Sequence, residues 1–315
     1  MKSRSELPDD AALPALAVIR QKGLPGALPA LGLDGESVEL QLRRYHPSSR
    51  ATLEARAGPR RLAVKVYAQD PASEAALYQA LASAGLTGGS AVRVPPLLVW
   101  ERELRVLVLG WLEGPTAAQL VEQGQGERAG ELAARWLRHA ASLRVKLGLP
   151  FGAARRMDQA RKWARALAIA DPALGATATA LVARLSRTQP VEGKACLAQG
   201  SLYAHHVIDL GDGVGLIDWQ KSGQGPAELD AGTFLATVWR LGLLCAPLTS
   251  AAARAEQAFL AGTERLVEPR ALAWHRAATL LRLAQKFTRR QRDADWRARA
   301  QALLNEATRV ADAAG

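Results

Sequence analysis

The sequence predicts an α+β protein with a smaller β-rich N-terminal part and a larger helical C-terminal part. Three observations carry this. Alternating runs at 37–45 (SVELQLRRY), 51–57 and 61–67 follow one another across turn residues and precede a helical stretch at 72–84, the pattern of sequential strands and a helix. From residue 127 the chain is mostly amphipathic helix, and in 127–147 Leu132, Trp136, Leu143 and Leu147 fall on or near one stripe. Residues 196–219, CLAQGSLYAHHVIDLGDGVGLIDW, interrupt the helices with a polar loop, 199–206. Two β-type runs follow, 207–210 and 214–217, on either side of Gly211-Asp212-Gly213, which is a hairpin signal.

At 315 residues, 49% hydrophobic and 23% charged, the chain has material for one large domain or two lobes with a real core. No run approaches the roughly 20 apolar residues that span a bilayer. The N-terminal MKSRSELPDDAAL lacks the apolar stretch of a signal peptide, and Cys196 and Cys245 make no disulfide framework. These features predict a cytoplasmic protein. The formal charge of +11 admits nucleic acid, an anionic membrane surface or an anionic substrate, or is a bias toward arginine. Only residues 286–292, KFTRRQR, form a compact basic cluster, and it reads as a solvated helix face. Without an RNA-recognition, zinc-finger or helix-turn-helix signature, nucleic acid is not expected as a partner. A polycationic aminoglycoside would be repelled by such a field.

In chain order, 9–21 predict an N-terminal helix capped by Asp9 or Asp10, and 23–35, punctuated by Gly and Pro, a connector. The first strand ends at the turn His46-Pro47-Ser48-Ser49. Backbone amides of the 46–50 turn, with Arg44 or Arg50, suit phosphates; an ordinary solvated turn suits them equally. Lys65 lies inside the apolar run Leu62-Ala63-Val64-Lys65-Val66-Tyr67. An ammonium is costly to bury unpaired, so it requires an anion, and Glu74 on the next helix is the obvious one. Alternation also allows the solvent side of an edge strand. Strand material recurs at 92–98 and 104–109. Helical stretches at 157–170 and 173–187 precede the central segment, and 227–244, 250–262, 268–288 and 294–313 follow it. No internal repeat is visible.

The polar frame of the central segment, Gln199-Gly200-Ser201, then His206, then Ile217-Asp218-Trp219, resembles the catalytic segment of the aminoglycoside phosphotransferase/choline kinase-like family. That family typically reads H-G-D-x-x-x-x-N, a hairpin, then I-D-W or I-D-F. AVKVY followed by SEAALYQAL resembles its strand lysine and helix glutamate. RRYHPSSRATLEA resembles the R-Y-x-P-x-x-R form that some small-molecule members carry where others have a Gly-rich loop. Gly110-Trp111-Leu112-Glu113-Gly114 is similar to the hinge, and Gly225 to Asp230 to G-D-P-x-x-D-L-A. The resemblance covers about 37–313. It implies a two-lobed protein-kinase-like fold, with 1–36 an N-terminal helix and connector, 37–110 a nucleotide-clamping N-lobe and 111–315 a helical C-lobe. It also implies ATP or another nucleotide with Mg²⁺. Lys65, Glu74, Arg50, Trp111 and Glu113 would then serve the nucleotide, Asp218 the metal, and Asp230 would anchor the catalytic loop.

The loop departs from the family's pattern. Ser201 stands where the catalytic aspartate belongs and, uncharged at pH 7, is no ordinary base. His206 stands where an asparagine provides the second metal ligand, although Mg²⁺ prefers oxygen. Gln199 replaces the usual histidine. Loss of a general base is worth roughly 10²–10⁴-fold. His205 or His206 could take over proton acceptance, or both are ordinary loop residues; Asp209 and Asp212 are carboxylates nearby, Asp212 by turn chemistry. The expectation is a nucleotide-binding pseudokinase with weak or no phosphoryl transfer. One alternative is an active ATP-dependent kinase of a small hydroxylated metabolite with a rearranged base. The other is a structural protein that binds a protein partner and no nucleotide. No charge constellation for an acceptor stands out in the C-terminal helices.

Overall fold

In a computed structural model describing residues 7–89, 91–290 and 293–313, the chain divides into two units, Met1–Glu113 and Gly114–Gly315. The first is built on an antiparallel sheet. Strands β1 (Val38–His46), β2 (Arg50–Ala57) and β3 (Arg60–Tyr67) form a meander, followed by helix α2 (Ala72–Ser83) and a two-residue strand β4 (Val92–Arg93). Strands β5 (Leu97–Glu101) and β6 (Val106–Gly110) complete the order β1-β2-β3-β6-β5. Helix α1 (Pro14–Ala27) lays Leu16, Ile19 and Leu24 on a core with Leu53, Val64 and Val108. Because β3 lies between β2 and β6, Lys65 sits on a central strand opposite Thr52 and Leu107. The edge-strand alternative is thereby removed.

The start of α1 corrects the sequence reading. Neither Asp9 nor Asp10 caps it; the helix begins at Pro14, whose fixed φ suits a first turn. Asp10 accepts from the Ser48 amide at 2.7 Å, the Tyr45 hydroxyl at 2.9 Å and the Ala12 amide at 3.0 Å. The Ser48 bond above all holds its carboxyl below the usual range. The helix continues to Ala27 across Gly23, whose φ of 71° breaks the helical run. Part of the expected connector is therefore helical.

In the second unit, α3 (Ala117–Glu122), α4 (Gly126–Ser142), β7 (Leu149–Pro150), α5 (Ala153–Ala170) and α6 (Pro172–Arg187) precede the central segment. That segment contains β8 (Cys196–Ala198), the hairpin of β9 (Val207–Asp209) and β10 (Val214–Leu216), and then β11 (Gly223–Gly225). Helices α7 (Ala227–Leu244), α8 (Thr249–Thr263), α9 (Pro269–Phe287) and α10 (Trp296–Ala313) follow. Met157, Leu167, Leu181, Trp274, Leu281 and Leu303 bring α5, α6, α9 and α10 into one core. Helix α4 stops at Ser142, short of residue 147, and Leu147 is exposed. The cause is tertiary: Gln224 of β11 donates to the Val145 and Leu147 carbonyls at 3.2 and 2.7 Å, drawing this segment out to pair as β7 alongside β11.

Both cysteines are free thiols, Cys196 half-buried and Cys245 exposed. Among the described residues no helix is long and apolar enough to cross a membrane. Gln291 and Arg292 of the basic cluster, and the first six residues of the N-terminal stretch, lie outside the described residues.

Candidate functional site

In the first unit, Lys65 is buried and its Nζ donates to Glu74 Oε1 at 2.7 Å. Glu74 comes from the first turn of α2, and its second oxygen accepts the Tyr67 hydroxyl at 2.7 Å. Both carboxylate oxygens are therefore engaged, which a buried pair requires to recover its desolvation. The turn after β1 is less open to phosphate than the sequence suggested. The Ser48 amide is bonded to Asp10 and the Ser49 amide to the His46 carbonyl at 3.1 Å, so those two donors are spent within the protein. Arg44 Nε donates to His46 Nε2 at 3.1 Å, and Arg50 is half-buried at the start of β2. Trp111 and Glu113 are tied to Arg61, whose guanidinium lies 4.1 Å from the Trp111 ring centroid and 2.7 Å from Glu113 Oε2.

In the second unit the loop at 199–206 is held from below and from the side. Gly200 has a φ of 74°, and a Cβ there would come within 2.0 Å of the Lys221 carbonyl, so only glycine fits. Asp230, in the first turn of α7, accepts the Gln199 and Gly200 amides at 2.6 and 2.9 Å, and the Leu202 amide also bonds it. Burial nevertheless pushes its carboxyl up to about 6. Gln199 donates through Nε2 to the carbonyls of Ile217 and Asp218 at 3.0 and 2.6 Å. It thus clips the loop to the segment that carries Asp218.

Ser201 is buried, and its carbonyl accepts from His206 Nδ1 at 2.8 Å. The opposite ring nitrogen, Nε2, lies 3.3 Å from Asp218 Oδ2. With Nδ1 donating to a carbonyl, a neutral His206 turns a lone pair toward the carboxylate. A proton on Nε2 or a cation beside Asp218 resolves that contact. Asp218 itself has a φ of 63°, a left-handed conformation that is strained for a non-glycine residue and recurs at functional sites. Among the described residues no group of three or more His, Cys, Asp or Glu side chains suited to a metal exists. Asp218 with His206 forms a two-donor set. A single carboxylate fits Mg²⁺, which draws its other ligands from water and phosphate; the imidazole fits it poorly.

The other sequence candidates separate. His205 is exposed, its ring 4.3 Å from that of His206. Asp209 is locked by Arg128, whose Nε and Nη2 lie 2.8 and 2.7 Å from its two oxygens and hold its carboxyl below the usual range. Asp212 is exposed in the hairpin turn. Sequence reading missed Arg156, Lys221, Arg282 and Lys286, which group near Tyr203 just beyond Ser201. Lys286 is exposed, as the solvated-face reading of 286–292 expects, and it also donates to the Tyr203 hydroxyl at 2.9 Å. A signal was present: Arg156 falls on the buried stripe of α5 with Ala153, Met157 and Ala160.

Residues 42–267 match the sequence pattern of the phosphotransferase enzyme family. Among solved structures, the choline kinase LicA from Streptococcus pneumoniae superposes with a TM-score of 0.61 at 12% identity, covering 91% of this chain and 98% of that one. A choline/ethanolamine kinase family protein from Mesorhizobium loti gives 0.54 at 17% identity over 86% and 87%. A thermostable mutant of aminoglycoside phosphotransferase APH(4)-Ia, in ternary complex with ADP and hygromycin B, gives 0.57 at 14% over 90% and 96%. At these identities the likeness shows the fold, which is protein-kinase-like. None of the curated proteins matches this chain.

Proposed function

This chain belongs to the phosphotransferase enzyme family, and on that premise we propose that it is a nucleotide-binding pseudokinase, holding ATP with Mg²⁺ and transferring phosphate weakly or not at all. The loop carries this reading. Ser201 occupies the place of the base, His206 the place of the second metal ligand, and the neighbouring carboxylate that could substitute, Asp209, is locked by Arg128. Lys65, steadied by Glu74, is assigned to nucleotide phosphates. Asp218 is assigned to Mg²⁺, which supplies charge neutralisation to phosphate oxygens when bound. His206 is assigned to orienting the Asp218 carboxylate.

A second reading, an active kinase of a small hydroxylated metabolite, draws support from His205. Its exposed ring sits beside His206 and would be the proton acceptor. The test is Mg²⁺-dependent ATP hydrolysis by wild type and by the double variant Ser201→Asp, His206→Asn. The expected result is background turnover in wild type and a gain of roughly 10²-fold or more in the variant, the lower bound of a general base's contribution. Wild-type turnover at the roughly 1–100 s⁻¹ of working kinases contradicts the pseudokinase reading, and no gain in the variant places the defect outside these two loop positions.

A further inference from the structure

Basic side chains of the second unit surround Tyr203. Lys286 Nζ lies 4.5 Å from its ring centroid and 2.9 Å from its hydroxyl oxygen. The guanidinium of Arg282, one turn earlier in α9, is 5.6 Å from the same ring and 6.0 Å from that of Trp163. Arg156 is fully buried, 5.0 Å from the Phe151 ring and 5.8 Å from the Trp163 ring. Lys221 approaches from the segment before β11, near enough for the charges of Arg282, Lys286 and Asp218 to act on it.

No ion pair among the described residues includes Arg156 or Arg282, and Arg156 Nε and Nη2 have no hydrogen-bond partner. The carboxylate acting on Arg156, Asp230, already accepts the loop amides. Loss of hydration first, and the Arg282 charge second, push Arg156 down to about 9. Loss of hydration first, and the Arg282 charge second, also lower Lys221. Stacking on Phe151 and Trp163 offsets only part of what a buried, unpaired guanidinium costs. An anion seated among these residues would satisfy the orphaned N–H groups of Arg156 and balance the charges of Arg156 and Arg282 together. A quaternary ammonium or a polyamine would meet repulsion there.

We propose that Arg156, Lys221, Arg282 and Lys286 form an anion subsite that takes the phosphate or carboxylate of a small hydroxylated ligand beside Ser201. The assignment rests on the phosphotransferase reading of the loop and adds the charge class of its second ligand. The test titrates glycerol 3-phosphate, glycerate and choline into wild type and into Arg282→Gln and Lys286→Gln, in the absence of nucleotide. Arg156 is left intact because its burial makes a folding defect the expected result, and the melting temperature of each variant checks that it folds. At least one anionic probe is expected to bind, with affinity reduced tenfold or more in both variants, and choline is expected not to bind. Preference between the two anions identifies phosphate or carboxylate as the recognised group. Binding by neither anion, equal binding of choline, or unchanged affinity in the variants overturns the subsite. ATP titrated separately into the same protein keeps the two readings apart, since loss of ATP binding with anion binding intact overturns the nucleotide assignment alone.

Discussion

Lys65 is charged, buried and central in its sheet, and its ammonium is answered by Glu74 at 2.7 Å. Replacing it by alanine strands the glutamate, with only Tyr67 still bonded to it. Removing one partner of such a pair typically costs about 3–5 kcal/mol. Lys65→Ala is therefore expected to lower the melting temperature and, from its assigned role, to weaken ATP binding at least tenfold. A variant that melts earlier but binds ATP as well as wild type would leave Lys65 a structural residue only. This pair was legible in the sequence because a lysine within an apolar strand demands an anion, and an acid nine residues on can supply it. Arg156 and Arg282 gave a weaker signal. Each is a buried basic residue in its helix, and only the packing of α5 on α9 reveals that their charges meet.

At the scale of elements, the loop at 199–206 depends on α7. Asp230 accepts the Gln199, Gly200 and Leu202 amides, and Asp230→Ala leaves them without an acceptor, at about 1–3 kcal/mol for each buried group left unsatisfied. The pH dependence follows from burial. A carboxyl raised from 3.8 to about 6 binds its proton more tightly in the folded state. Its contribution to stability is thus fully present below about pH 4 and lost as pH rises through about 6. The stability gap between wild type and Asp230→Ala, from urea unfolding, is expected to shrink between pH 4 and pH 7. A gap that widens with pH would mean that the amide bonds outweigh burial. The hairpin could be read because Gly-Asp-Gly marks a turn, and Asp230 through the resemblance of residues 225–230 to the family's motif. The first turn of α1 and the end of α4 could not, because Tyr45, Ser48 and Gln224, remote in sequence, decide them.

At the scale of the molecule, the α+β division was visible from three strands and a helix followed by long amphipathic segments, and the family from residues spread between Lys65 and Asp230. The fold is shared with solved structures at only 12–17% identity, and in this chain positions of that frame answer to local physical demands: a buried charge at Lys65, a crowded glycine at Gly200, a loop anchor at Asp230. The +11 charge had no visible focus in one dimension, and part of it converges beside the loop. The central claim is that this protein holds ATP with Mg²⁺ while its loop no longer turns it over. Calorimetric titration of ATP into wild type, with and without Mg²⁺ and with ADP assayed afterwards, tests it most directly. The account predicts binding that Mg²⁺ strengthens and ATP recovered intact; no binding, binding indifferent to Mg²⁺, or ready conversion to ADP would contradict it.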